Sequence, residues 1–93
     1  MRRIERTTQF KRDYKLQKKG RYRAELDSAL VPIIELLIAD KDLPVRSFDH
    51  PLIGDWKDFR DCHIKPDLVL IYEKLDPEIL RLVRLGSHSD LGL

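Results

Sequence analysis

The chain has 93 residues, enough for one domain with a modest core and too few for two. An apolar share of 42% is ordinary and 37% charged is high, while the single cysteine, Cys62, rules out an intramolecular disulfide. The longest apolar run, Leu68 to Tyr72, is too short to span a membrane, and Met1-Arg2-Arg3 opens no signal-peptide pattern, so a soluble protein of a reducing cytoplasm is expected.

The net charge of +2 hides an asymmetry. Residues 1–23 carry ten basic side chains against Glu5 and Asp13, a local charge of +8. Residues 24–93 carry eight bases against fourteen acids, a charge of −6. Such a basic stretch is either a solvated helix face or an electrostatic footprint for a polyanion, nucleic acid or acidic protein. Charge alone does not separate the two.

Residues 1–6 read as a short strand anchored by Ile4. Thr7 or Thr8 then offers an N-cap for a helix that shows Phe10 and Tyr14 on one face and ends near Gly20. A second helix is marked by Tyr22, Leu26, Ala29, Leu30, Ile33, Ile34 and Leu37, an apolar stripe of helical period. Pro32 lies inside that stripe, where its missing N–H and its ring cost roughly 3 kcal/mol in an ideal helix. Because the apolar register continues across it, one kinked helix is expected; the alternative is a break with Pro32 opening a second short helix. Lys41 to Asp49, with Pro44 inside it, reads as an irregular connection.

After His50 the periodicity changes. Trp56 to Ile64 is rich in β-compatible residues, Leu68 to Tyr72 suits a strand buried on both faces, and Ile79 to Leu85 follows. Lys65-Pro66-Asp67 and Asp76-Pro77-Glu78 are turns, too short for the crossover that parallel neighbours need. The expectation is a single α+β domain over residues 1–93. A short N-terminal strand leads into two helices packed on one face of an antiparallel meander, and the opposite face needs cover or a partner.

Chemistry concentrates in the second half. His50, His63 and His88 are the only histidines, all placed at predicted strand ends or in loops and none on a helix. Imidazole titrates between pH 5 and 8, so three of them at converging strand ends point to acid–base work. A hairpin over these strands puts Asp67 within reach of His63, where a carboxylate orients a tautomer or stabilises imidazolium. Regular alternation would put Leu82, Arg84, Gly86 and His88 on one side. Arg60 and Arg84 are meander bases able to hold a phosphate bidentately, or simply solubilising charges.

Other chemistries fit less well. No closely spaced histidine pair suggests zinc, and Gly54 and Gly86 are too isolated for a phosphate loop. Cys62 sits in a strand beside Asp61, which does not lower a thiol pKa. Trp56 or Phe59 could stack on RNA bases, though a core role is the simpler account of at least one.

The stretch Asp49-His50-Pro51-Leu52, with Gly54, Trp56-Lys57, Phe59-Arg60-Asp61, His63 and Pro66-Asp67, then Leu70-Ile71-Tyr72, then Arg84, Gly86-Ser87-His88-Ser89 and Leu91, closely resembles the YafQ branch of the RelE-type toxins. The resemblance covers essentially the whole chain and extends to the basic two-helix N-terminal half. It implies a RelE/ParE-like fold and a ribosome-dependent endoribonuclease that cuts mRNA in the A site without metal or other cofactor. His50, His63, Asp67 and His88 fall on the family's functional positions. The implied chemistry is attack by a ribose 2′-hydroxyl on the adjacent phosphorus, with which histidine is base and which is acid left open.

The resemblance also implies partners: the 70S ribosome, mRNA, and an acidic-tailed antitoxin that dimerises through a ribbon–helix–helix region. The free toxin is expected to be a monomer. Lys11, Arg12, Lys15 and Lys18 are the expected ribosome-docking bases. The sequence departs from the family pattern at Gly92, where a Phe commonly stands. Leu93 follows one residue later, but an aliphatic side chain cannot stack on a base as an aromatic ring does. The alternatives are a catalytically degenerate toxin or a gyrase-directed, ParE-like one; neither binding role needs three histidines in these places.

Overall fold

Thr7 sets the first helix boundary: its Oγ1 accepts the Phe10 N–H at 3.0 Å, satisfying one of the donors a helix start leaves free. In this computed structural model, which describes all 93 residues, β1 (Arg3–Arg6) leads into the capped helix α1 (Thr8–Lys19), which ends at Gly20. The order continues with α2 (Leu26–Ile38), β2 (His50–Pro51), β3 (Arg60–Lys65), β4 (Leu68–Asp76), β5 (Ile79–Gly86) and α3 (His88–Leu91). Short 3-10 turns occupy Val45–Ser47 and Gly54–Trp56.

α2 runs unbroken through Pro32, as the continuous apolar stripe predicts. It starts later than expected. Residues 21–25 form turns, and Tyr22 packs on the core from outside the helix. Leu26, Leu30, Ile33 and Leu37 are the buried stripe, and truncating one of them, as in Leu30→Ala, removes about 2–5 kcal/mol of stability.

The sheet has five strands in the order β1-β5-β4-β3-β2. β3, β4 and β5 form the expected antiparallel meander. The sheet is mixed, however: β1 runs parallel to β5, with Ile4 opposite Leu80. The long crossover that parallel neighbours require is supplied by everything between them in sequence. Two further corrections concern the other edge. β3 is shorter than the Trp56–Ile64 expected, because Gly54–Trp56 is a turn, and β2 is a two-residue strand whose brevity gave no sequence signal.

β4 is buried on both faces. Leu68, Leu70 and Tyr72 join Leu80, Leu82 and Leu85 in the main core beneath α1 and α2. Val69 and Ile71 point to the opposite side, where Leu91 is buried with them and Leu52, Trp56, Phe59 and Val83 pack against them. The second sheet face is thus covered from within the chain, by α3 and the loop after β2. Trp56 and Phe59 meet edge to face at 5.5 Å and belong to this small core. No helix is long and apolar enough to cross a membrane.

Candidate active site

Strand register brings the histidines together. His50 on β2 lies opposite Asp61 on β3, and His63 is two residues further along the same strand. Asp61 pairs with Ile71 and His63 with Val69, so both project on the sheet face that α3 covers. Val69 in turn pairs with Gly86, the last residue of β5, which delivers the chain to the same corner.

There the chain turns sharply into α3. Ser87 Oγ accepts the Asp90 N–H at 3.0 Å and Asp90 Oδ2 accepts the Ser87 N–H at 3.2 Å, a reciprocal capping box. A side chain at Gly86 would place its Cβ 3.2 Å from that of Asp90, a tight approach that would push the Asp90 side chain by a few tenths of an ångström. His88 becomes the first residue of a helix, correcting the expectation that no histidine is helical.

Asp67 also differs from expectation. The β3–β4 ladder shifts register between His63 and Lys65, and the turn that follows presents Asp67 to His88 rather than to His63. Asp67 Oδ1 lies 2.7 Å from His88 Nδ1 and accepts the His88 backbone N–H at 3.1 Å. These two hydrogen bonds hold the Asp67 carboxyl below the usual carboxylate range. His63 is instead framed by rings: His88 edge to face at 5.1 Å and Phe48 tilted at 5.5 Å.

Asp61 is the residue sequence reasoning missed. It is only 3% exposed, and its Oδ1 sits 3.0 Å from His50 Nδ1. That nitrogen's one hydrogen is directed to the Phe48 carbonyl, 2.6 Å away, which leaves Asp61 Oδ1 with no donor. Burial pushes the Asp61 carboxyl up, with His50, His63 and His88 partly opposing it. Its signal was its place beside His63, but the pairing with His50 depends on β2. His50, Asp61, His63 and His88 line an open cleft of about 450 Å³, with Gly92 and Leu93 at its rim.

The two meander arginines lie elsewhere. Arg84 Nε and Nη2 reach Asp13 of α1 at 2.7 and 3.3 Å, and Arg60 Nε reaches Asp49 at 3.2 Å. Neither lines the cleft, and each is paired with a carboxylate. Arg84 leaves the expected alternation because β5 is irregular between Leu82 and Arg84, paired with Tyr72 and Ile71. Arg60 and the Tyr72 hydroxyl together fasten Asp49, and with it the segment leading to His50. Cys62 is buried and its thiol pKa is pushed well up, so it is no nucleophile. No three His, Cys, Asp or Glu side chains are grouped to hold one metal ion.

On the N-terminal half, Lys11, Arg12 and Lys15 are exposed along α1, while Lys18 Nζ pairs with Asp27 at 3.1 Å.

Residues 2–92 match the family described as the YafQ toxin of bacterial type II toxin–antitoxin systems. The chain belongs to the YafQ family. It is 39% identical over 90 residues to the mRNA interferase toxin YafQ of Escherichia coli K12, covering 95% of this chain and 92% of that one. It is similar to the E. coli DinJ–YafQ complex structure, with a TM-score of 0.83, 40% identity and 98% of each chain covered. A metal-bound toxin from Helicobacter pylori is similar at a TM-score of 0.83 and 43% identity, over 98% of this chain and 99% of that one. The α+β architecture expected from the RelE/ParE-like resemblance is therefore that of the YafQ family.

Proposed function

We propose that the protein is the toxin of a type II toxin–antitoxin pair and a ribosome-dependent endoribonuclease that cuts mRNA in the A site, acting in the cytoplasm. The observation that carries this is the convergence of His50, His63 and His88 on one open cleft, with a carboxylate beside two of them. Relatives named as mRNA interferase and as the DinJ–YafQ complex support the substrate class and the antitoxin partner.

The reaction needs one group to take the 2′-hydroxyl proton, one to protonate the leaving 5′-oxygen, and positive charge for the phosphorane. The 2′-oxygen bonds to phosphorus as the bond from phosphorus to the 5′-oxygen breaks, leaving a 2′,3′-cyclic phosphate and a 5′-hydroxyl. His50 donates its Nδ1–H to the Phe48 carbonyl, which leaves Nε2 as an acceptor suited to the general base. His88 Nδ1 faces the ionised Asp67, which fixes the ring through that nitrogen and leaves Nε2 for the general-acid role. His63 stands beside His88 and contributes a hydrogen-bond donor at the phosphate. With Arg60 and Arg84 engaged by Asp49 and Asp13, they serve as positioning residues.

This chemistry is assigned without a metal, because His50 and His88 each turn Nδ1 to a protein oxygen and no three His, Cys, Asp or Glu side chains are grouped closely enough to hold one ion. The metal-bound H. pylori relative makes elemental analysis of the purified protein the check: stoichiometric zinc or copper would overturn the assignment.

The deciding experiment is primer extension on a defined mRNA translated by purified ribosomes with added protein. Cleavage within the A-site codon is expected, and single His50→Ala, His63→Ala and His88→Ala variants should fall by on the order of 10²–10⁴-fold while keeping parental circular dichroism. No cleavage by the parent sinks the reading; parental rates in two of the three variants sink the histidine assignment.

A further inference from the structure

Phe48 adopts a left-handed backbone conformation, φ 46° and ψ 48°, which a bulky side chain rarely occupies. The backbone has a reason for it. The Phe48 N–H closes the 3-10 turn onto the Val45 carbonyl at 3.1 Å, and the Phe48 carbonyl is left 2.6 Å from His50 Nδ1. Glycine would satisfy both bonds without steric conflict. That role explains the conformation; it does not explain the phenyl ring. The ring is 62% exposed, and its one aromatic neighbour is His63 at 5.5 Å.

The ring's position is specific. His63 lines two depressions: the catalytic cleft on one side and, on the other, an open groove of about 700 Å³ between α2, the Val45–Ser47 turn and the β3–β4 turn. Phe48 lines the second groove, with Arg46 and Lys65 as its cations. Arg46 is exposed and has no carboxylate partner, whereas Lys65 Nζ reaches Glu25 at 2.9 Å. A planar apolar face, one histidine away from the reacting phosphate and next to a free guanidinium, suits an unstacked nucleobase followed by its phosphate.

We propose that Phe48 is a substrate-positioning residue that stacks on a nucleobase flanking the cleaved bond, with Arg46 holding the adjoining phosphate. This rests on the endoribonuclease reading and deepens it. It also supplies, from the groove on the other side of His63, an aromatic surface in a protein where Gly92 stands in place of the Phe common in the family.

The test compares the parent with Phe48→Gly, Phe48→Leu and Phe48→Trp in ribosomal cleavage across a range of protein concentrations. The mRNA carries 2-aminopurine, in separate preparations, at each nucleotide flanking the cut. Glycine tolerates the positive φ, so Phe48→Gly keeps the carbonyl in place for His50. The concentration for half-maximal cleavage should rise roughly ten-fold or more in Phe48→Gly and Phe48→Leu, and stay near parental in Phe48→Trp. The maximal rate should change little, and one 2-aminopurine position should lose its stacking quench in the Gly and Leu variants.

Cleavage by the parent with no change in Phe48→Gly overturns the stacking role and leaves the endoribonuclease reading standing. A collapse of maximal rate at unchanged half-saturation overturns it too, because the ring would then act through His50 or His63. Parental cleavage with lost inhibition by an acidic antitoxin would make Phe48 a protein-docking residue instead. A parent that does not cut at all removes both readings together.

Discussion

Asp67 and His88 are joined twice: one carboxylate oxygen meets the imidazole Nδ1 at 2.7 Å and the backbone N–H of the same residue at 3.1 Å. The backbone bond uses a donor that the start of α3 leaves free, so the capping geometry and the histidine's orientation are one arrangement. Asp67→Asn keeps an acceptor for the N–H but removes the carboxylate charge that faces His88 Nδ1. Cleavage should fall by on the order of 10²-fold, toward the lower end of what a proton-transferring group contributes. Asp67→Ala should fall further. Single-turnover cleavage by both variants, with circular dichroism as control, checks this; a parental rate in Asp67→Ala would detach the carboxylate from catalysis.

Asp61 should show activity and stability moving in opposite directions. Its folded-state pKa is raised, chiefly by burial. The sign follows from linkage: a carboxyl raised on folding binds protons more tightly in the folded state. Stability is therefore lost as pH rises from the unfolded value through the folded one. At neutral pH, Asp61→Asn removes a buried charge whose Oδ1 has no donor, and thermal denaturation should shift up by a few degrees. Cleavage should drop, because His50 loses the carboxylate beside Nδ1. A variant that melts lower at pH 7 but not at pH 4 contradicts this account.

Much of this site was readable before the fold was. The buried run at Leu68–Tyr72, the Leu26–Leu37 stripe and the turns on Pro66 and Pro77 each leave a local signal, and together they place three histidines at one end of a sheet. What stayed hidden is set by contacts distant in sequence. Asp67 and His88 are 21 residues apart, Arg84 and Asp13 are 71 apart, and neither pair has a spacing rule. The register shifts beside His63 and Arg84 also break the alternation on which facing arguments depend. β2 escaped because two residues carry no periodicity, and with it went the pairing that makes Asp61 part of the site.

Asp40, just after α2, ties Arg2 to Lys74 of β4 against acid. Its Oδ1 meets Lys74 Nζ at 2.7 Å and Arg2 Nε at 2.8 Å, and those bonds lower its pKa from 3.8 to about 2. A carboxyl depressed on folding contributes stability that is fully present above its unfolded pKa. That contribution is lost as pH falls through the folded value. The difference in melting temperature between the parent and Asp40→Asn should be constant from pH 7 to pH 5 and shrink between about pH 4 and pH 2. A difference that persists undiminished at pH 2 would mean that Asp40 acts by packing and not by charge.

The basic face of α1 gives the last expectation, and the structure sharpens which residues matter. Lys11, Arg12 and Lys15 are exposed without carboxylate partners, while Lys18 is shared with Asp27, whose carboxyl is held low by the Tyr14 hydroxyl and by Lys18 itself. Free cations that approach a phosphate backbone release counterions, so binding weakens steeply with salt; a cation already paired on the protein contributes less. Replacing Lys11, Arg12 and Lys15 by Gln should weaken ribosome binding and lower the log–log salt slope by up to about 2–3. Adding Lys18→Gln should change the slope little. Cleavage at saturating ribosome should stay near parental, because these residues lie outside the histidine cleft. Filter binding at several salt concentrations measures the slope directly. If the triple variant keeps the parental affinity and slope, the charge on α1 is a solvated face and the ribosome is held elsewhere.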